Sequence, residues 1–287
     1  MEQRDKQVLY DRAEDMLRRT ARGEVTRSRF LSPAEAHALS AYLLRGGHTK
    51  DCFFYGGYPE AERTRLFLLP GYLTDFLGAD TERDFSFEEP EEDEHTAEGY
   101  PVGLIDSYTD GAVTESITAL YVKGSGYRDL SHRDYLGSIL SLGVERDVLG
   151  DIVPDSGFSA VIFADGRIAS FLRENLKRVA NDAVKVTPYV IPKGFAGNRK
   201  TLPVVDTVAS ERLDCVVAAL TNSSREAAQT LIRSGLCEVD FETEEKPDRL
   251  LAAPCQISVR GYGRFRLCAF DGETKKGRLR MKAEKFV

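Results

Sequence analysis

Between residues 210 and 235 the apolar side chains fall into two short helical series, each followed by a stop, and this pairing constrains the fold more than any other feature. Leu213, Val216, Val217 and Leu220 stand at i, i+3, i+4 and i+7, the spacing of one buried stripe on a helix of about three turns. A second series follows at once. Ser223-Ser224-Arg225-Glu226 reads as a capping box between Ser223 and Glu226, Ala228, Leu231 and Ile232 supply the buried face, and Gly235 is placed to end the helix. Arg225, Gln229 and Arg233 are spaced by four, so they line one polar, basic stripe on the side away from the apolar residues.

Short strand-like runs follow over residues 236–241, 256–259 and 265–270, with Arg260-Gly261-Tyr262-Gly263-Arg264 between the last two. The glycines allow close approach of the backbone to a phosphate, and the two arginines straddle it. A final strand over 278–285 alternates Leu279, Met281 and Ala283 inward with Arg278, Arg280 and Lys282 outward, which places a basic face at a hairpin tip.

The rest of the chain reads as further α/β material. The first segment mixes helix and strand signals; Ser32-Pro33-Ala34-Glu35 is a helix start and Gly46-Gly47 its stop. Residues 52–55 and 65–69 read as strands flanking the turn-rich Gly56-Gly57-Tyr58-Pro59. Strands are predicted over 101–105, 117–122 and 158–164. A helix follows Ser131 and closes at Gly143, Asp165-Gly166 reads as a turn, and Phe171, Leu172, Asn175, Leu176 and Val179 recur at helical spacing. Residues 187–208, with Pro188, Pro192, Gly194, Gly197 and Pro203, read as an irregular connection. The boundaries are an N-terminal α/β domain at 1–85, an acidic loop at 86–99, a central α/β sandwich at 100–186, a connector at 187–207 and a last domain at 208–287.

Charge is distributed unevenly. The net charge of the 287 residues is -7. Residues 1–99 hold 13 Lys/Arg against 21 Asp/Glu, residues 100–208 hold 12 against 13, and residues 209–287 hold 14 against 12, so only the last third is net basic. The run Glu88-Glu89-Pro90-Glu91-Glu92-Asp93-Glu94 reads as a solvated loop rather than a metal site. Five scattered cysteines without a Cys-x-x-Cys pair fit neither a disulfide framework nor structural zinc. No apolar run approaches the roughly 20 residues that cross a bilayer, and the charged start is unlike a secretory signal. The expectation is a cytoplasmic protein with no membrane partner, no metal and no cofactor.

Arg212-Leu213-Asp214, Ser224-Arg225, Gln229, Ile232, Gly235 and Ile257-Ser258-Val259-Arg260-Gly261-x-Gly263-Arg264 together resemble the S-four RNA-binding domain over roughly residues 208–270. The chain departs from that pattern at Val239-Asp240-Phe241, where Val-Asn-Gly is usual, and at Pro254-Cys255, where Gly-Asp is usual. The resemblance implies RNA contacts at Arg212, Ser224, Arg225, Gln229, Arg233, Arg260, Arg264 and Arg280. Asp214 repels phosphate, so its expected use is to orient its neighbours.

Two further stretches, Phe54-Tyr55-Gly56-Gly57-Tyr58-Pro59-Glu60-Ala61-Glu62-Arg63 and His132-Arg133-Asp134-Tyr135-Leu136-Gly137 continuing to Gly150-Asp151-Ile152, are similar to the YlmH family. That resemblance covers nearly the whole chain. It implies a multidomain α+β protein with an N-terminal domain, a central domain related to RNA-recognition folds and a C-terminal S-four domain. Its implied role is in bacterial ribosome quality control, bound to large subunits that hold stalled peptidyl-tRNA and assisting alanine tailing, with ribosomal RNA, tRNA and quality-control proteins as partners. No catalytic residue is expected. Asp134 and His132 form no general-base site once Ser131 explains the helix start, Gly124-x-Gly126 needs only a tight turn, and Tyr55 and Tyr58 read as core lids or, alternatively, stacking platforms. An RNA-modifying enzyme of the pseudouridine synthase or methyltransferase kind and a cell-division scaffold are the competing readings.

Overall fold

The computed structural model describes residues 3–48, 51–59, 61–76, 116–192, 194–195, 197 and 201–286. The acidic run at 88–94 and the strand expected at 101–105 lie outside them. By internal packing the chain divides into two units, residues 2–198 and 199–287.

The first unit opens with α1 (Gln3–Thr20), which buries only Leu9, Ala13, Met16 and Thr20. A stripe this narrow among charges explains why the sequence gives mixed signals there. The second helix, α2 (Pro33–Arg45), starts as expected: the Ser32 hydroxyl accepts the Glu35 N–H at 3.3 Å and the Glu35 carboxylate accepts the Ser32 N–H at 2.8 Å. Strands β1 (Thr26–Arg27), β2 (Cys52–Tyr55) and β3 (Arg65–Leu68) pair antiparallel in the order β1-β3-β2, and α3 (Gly71–Phe76) follows.

A four-stranded antiparallel sheet comes next, ordered β5-β6-β4-β9, from β4 (Ile117–Lys123), β5 (Leu149–Ser156), β6 (Ser159–Asp165) and β9 (Lys185–Pro188). Helices α4 (His132–Leu140) and α5 (Gly166–Asn175) cover one face, where Leu120, Val122 and Ile162 pack with Tyr135, Ile139 and Leu172. The other face carries Ala119, Val153, Val161 and Phe163, and Phe30, Tyr58 and Phe67 close over it. Burial on both faces is why β6 reads as an unbroken apolar run instead of an alternating one. A small hairpin, β7 (Arg178–Val179) with β8 (Asp182–Ala183), precedes β9. The expected turn at Asp165-Gly166 is instead the start of α5: Asp165 caps that helix by accepting the Arg167 N–H at 3.0 Å.

In the second unit, α6 (Leu213–Leu220) and α7 (Arg225–Arg233) pack on a six-stranded antiparallel sheet. Its order is β10-β15-β14-β13-β11-β12, from β10 (Thr201–Val208), β11 (Cys237–Val239), β12 (Glu242–Thr243), β13 (Cys255–Val259), β14 (Gly263–Glu273) and β15 (Leu279–Phe286). Leu213, Val216, Val217, Leu220, Ala228 and Ile232 are buried together with Ile257, Phe265, Leu267 and Met281, as the two helical series require. The capping residue of α7 is Ser224 rather than Ser223; its hydroxyl accepts the Ala227 N–H at 3.1 Å, while Ser223 shares a hydrogen bond with Thr221. Two serines in succession offer the same chemistry one residue apart, and the sequence does not separate them.

Residues 201–208 are not irregular. They form β10, paired in register with β15 from Thr201↔Phe286 to Val208↔Leu279. As an edge strand with a mostly exposed pattern and Pro203 in it, β10 lacks the apolar alternation that announces a strand.

The unusual Asp240-Phe241 is the two-residue connection between β11 and β12, and both residues have positive φ, 49° and 67°. That is the backbone an Asn-Gly hairpin turn adopts with little strain. A phenylalanine there sits in the left-handed region, at a cost of roughly 1–2 kcal/mol. We expect Phe241→Gly to raise the stability of the second unit by about 0.5–1 kcal/mol, since the gain in the folded turn exceeds the added freedom of the unfolded chain. The urea midpoint reads this directly; an unchanged or lower midpoint means that the ring's packing outweighs the backbone strain.

Candidate nucleic-acid interface

At the centre of the residues expected to contact RNA is a carboxylate that the surface does not show. Asp214 lies in the first turn of α6 and is 0% exposed. Arg212 donates to it through Nε and Nη2, both at 3.1 Å, Arg225 through Nε at 3.0 Å and Nη2 at 3.3 Å, and Gln229 through Nε2 at 2.8 Å. Burial alone would raise the Asp214 pKa, but the hydrogen bonds from Arg212, Gln229 and Arg225 override it and hold the carboxyl well below the usual range.

One buried negative charge therefore meets two guanidinium groups. Each arginine turns its Nε/Nη2 edge inward and keeps its Nη1 end for another acceptor, and one positive charge of the pair is left over. The Arg225 side chain is 51% exposed and that of Arg212 is 35% exposed, so both are reachable from solvent. Asp214 thus serves orientation, fixing the direction of side chains that would otherwise be free to rotate.

The remaining expected contacts divide into near and far. Arg233 lies two turns along α7 from Arg225 on the same stripe and is exposed. The Arg260 N–H donates to the Leu236 carbonyl at 2.9 Å, so the turn between β13 and β14 is tied to the end of α7. Ser224 adjoins Arg225, but its hydroxyl is engaged as the helix cap. On the far side of the same turn, the Arg264 guanidinium stacks 5.2 Å from the Phe286 ring centre. Arg280 is not part of this group. In the β14–β15 register Phe265 stands opposite Lys285 while Glu273 stands opposite Leu279, so Arg264 and Arg280 sit at opposite ends of the hairpin, about 20 Å apart at the usual rise per residue. Arg233, Arg260 and Arg280 hold no ion pair among the described residues, which leaves their charges uncommitted.

The two stretches at 54–63 and 150–152 meet in the first unit. The Asp151 carboxylate accepts the Tyr58 hydroxyl at 2.6 Å and the N–H groups of Glu62 and Arg63 at 2.7 and 3.0 Å. The Arg63 guanidinium donates to the carbonyls of Leu149, Phe30 and Arg146 at 2.9, 3.3 and 3.0 Å. Burial, and then the neighbouring Arg146, lower the Arg63 pKa to about 10, which still leaves it charged at neutral pH. Gly57, at φ 105°, is needed because a Cβ there would collide with the Phe163 ring. Tyr58 is 2% exposed and tilts against Phe163 at 4.9 Å between ring centres, so it is a core lid, and Phe163 itself is inaccessible. These residues fasten the N-terminal segment to the central sheet. Nothing in their types announces it, because the Tyr58–Asp151 contact spans 93 positions. Asp151→Ala strands three donors, and we expect it to cost the first unit about 2–3 kcal/mol, measured by chemical denaturation, with Asp151→Asn milder.

Asp134 belongs to the capping box of α4, accepting from Ser131 N and Oγ at 2.9 and 2.7 Å, and so does not orient His132. Ser125, between Gly124 and Gly126, donates its N–H to Asp182 at 2.9 Å in a tight turn. Among the described residues no group of three or more His, Cys, Asp or Glu side chains is placed to hold a metal ion, and no helix is long and apolar enough to cross a membrane.

With paired short helices on an antiparallel sheet in one unit and a four-stranded sheet largely covered on both faces in the other, this is a multidomain α+β protein. Residues 119–192 match the family model described as "Putative RNA-binding domain in YlmH". Over 263 residues, covering 89% of this chain and 85% of the relative, the sequence is 29% identical to "Ribosome-associated protein quality control protein P2" of Bacillus subtilis (strain 168). Among solved structures it is similar to "Cell division protein ylmH from Streptococcus pneumoniae", at 15% identity and a TM-score of 0.45, over 67% of this chain and 95% of that one. The YlmH resemblance first read from residues 54–63 and 132–152 thus holds in the central domain and along most of the chain.

Proposed function

We propose that this protein is a non-catalytic RNA-binding factor that docks on the large ribosomal subunit, contacting ribosomal RNA and peptidyl-tRNA, and supports alanine tailing of stalled nascent chains. The observation that carries this reading is the Asp214 hub, which presents Arg212 and Arg225 as fixed, half-exposed cations on a stripe continued by Arg233. Fixed guanidinium ends suit phosphates whose positions are set by a folded RNA, because orientation is paid for in the free protein and not on binding. The name of the Bacillus relative supports the ribosomal setting. Arg212, Ser224, Arg225, Gln229, Arg233, Arg260 and Arg264 form one contact area, with Arg280 reaching a second point on the same RNA. The domain scheme at 1–85, 100–186 and 208–287 belongs to this proposal, the last domain being extended back to residue 201 by β10.

The test is to express a tagged chain in cells with stalled translation and probe the large-subunit fraction of a gradient for the tag and for peptidyl-tRNA. Co-sedimentation of both, resistant to moderate salt, is the expected result. A tag found only with free RNA at the top of the gradient contradicts the ribosomal setting.

A further inference from the structure

The domain matched by the RNA-binding family model leaves little of its sheet open. One face is under α4 and α5, and most of the other lies under Phe30, Tyr58 and Phe67. Among the described residues, what remains uncovered is the end of the second face at the close of β4. There Tyr121 stands opposite Thr187 and Lys123 opposite Lys185 in the β4–β9 register, so all four share one face of the sheet. The Tyr121 ring stacks on Tyr189 at 5.6 Å and 22°, and both rings are only half-buried.

Two features of this strip point to a ligand. Like charges directly opposite in an antiparallel pair destabilise a sheet, yet Lys123 and Lys185 are such a pair, both exposed and without an ion pair among the described residues. The loop that leaves Lys123 then carries Tyr127, 96% exposed, and Arg128, also exposed. A nearly bare tyrosine beside unpaired cations is the combination that single-stranded nucleic acid uses: a π-face for each base and a cation for each phosphate. Of the carboxylates at this end of the sheet, Asp155 accepts the Tyr121 hydroxyl at 3.0 Å, Asp182 accepts the Ser125 N–H at 2.9 Å, and Asp129 lies against Gly157.

We infer that Lys123, Lys185, Tyr121, Tyr189 and Tyr127 form a second RNA site, for an unpaired stretch of about two or three nucleotides. It rests on the RNA-binding reading above but uses different residues and a different form of RNA. Phosphates meet Lys123 and Lys185, bases stack on the uncovered tyrosine faces, and the covered remainder of the sheet limits the site to a short segment.

The experiment uses the full chain, with binding of fluorescent oligouridine and of a blunt RNA duplex measured by anisotropy over a salt series. All variants are made both in the wild type and in an Arg233→Ala/Arg260→Ala background, which weakens the C-terminal interface. Lys123→Gln/Lys185→Gln is expected to weaken oligouridine binding about tenfold in both backgrounds and to reduce the slope of log K against log salt by about 1.4, the value for two phosphate contacts on single strands. Tyr127→Ala is expected to weaken it about tenfold with the salt slope unchanged. Lys123→Glu separates function from folding: by turning a like-charge pair into an opposite one it should raise the melting temperature while lowering oligouridine affinity. Oligouridine binding unaltered by Lys123→Gln/Lys185→Gln overturns the site, as does equally effective displacement by an acidic peptide. Duplex binding and its loss in Arg233→Ala/Arg260→Ala report separately on the C-terminal interface, so either reading can fail without the other.

Discussion

Asp165→Ala lowers the stability of the first unit by about 3–5 kcal/mol, the usual cost of leaving one member of a buried ion pair behind. The Asp165 side chain is 2% exposed and contacts Arg65, itself 4% exposed, at 3.0 Å. Without the carboxylate, the Arg65 guanidinium keeps the carbonyls of Ser116 and Ser28, each at 2.7 Å, and the Phe30 ring face, but no opposite charge among the described residues, and α5 loses its cap. The double variant Asp165→Ala/Arg65→Met should recover much of the loss, because no buried charge remains. Chemical denaturation of the four proteins gives the coupling energy. A double variant as unstable as the summed singles would mean that the two residues act separately.

The same carboxylate sets an acid limit. Burial pushes the Asp165 pKa up, but hydrogen bonds from Arg167 and the charge of Arg65 pull it down to about 2 from an ordinary 3.8. Its ionised form is therefore favoured in the folded state. The stabilisation is complete above about pH 4 and is lost as pH falls through about 2. The stability difference between wild type and Asp165→Ala should be flat from neutrality to about pH 5 and shrink below pH 4.

Arg212→Ala/Arg225→Ala produces a comparable loss, about 3–5 kcal/mol in the second unit, because it leaves the fully buried Asp214 carboxylate with the neutral donors Gln229 and Cys215 and neither of its two cations. Each single variant should cost much less, since the other arginine still neutralises the carboxylate. Asp214→Asn makes the informative contrast. Its arginines are 35% and 51% exposed and regain water, so stability falls modestly while RNA affinity falls through lost orientation. Urea titration with RNA binding on the same samples checks both. Equal stability losses for single and double arginine variants would contradict the shared hub.

The sequence announces elements whose signal is local. Ser32 with Glu35, Ser131 with the following helix, the two apolar series of α6 and α7, and the alternation of Leu279, Met281 and Ala283 against Arg278, Arg280 and Lys282 each lie within a few residues of one another. The structure reproduces them. What it adds is non-local. Strand β10 exists because β15 pairs with it, α1 because a narrow stripe finds α2, and the Tyr58–Asp151 fastening because a sheet brings distant segments together. At the interface, Arg212, Arg225 and Gln229 were legible as residue types in a familiar spacing. Their convergence on one buried carboxylate was not, since it needs the packing of two helices to close. The separation of Arg280 from Arg264 follows from strand register, which alternation alone does not fix.

Titration of purified large ribosomal subunits with wild type and with Arg233→Ala/Arg260→Ala, at low and near-physiological salt, tests the central claim most directly. These two cations have no structural partner among the described residues, so their removal should change folding stability by no more than about 0.5 kcal/mol. The expected result is binding by the wild type that weakens steeply with salt, and at least tenfold weaker, less salt-dependent binding by the equally stable variant. Wild-type and variant curves that coincide at both salt concentrations would contradict an RNA interface on this face of the second unit.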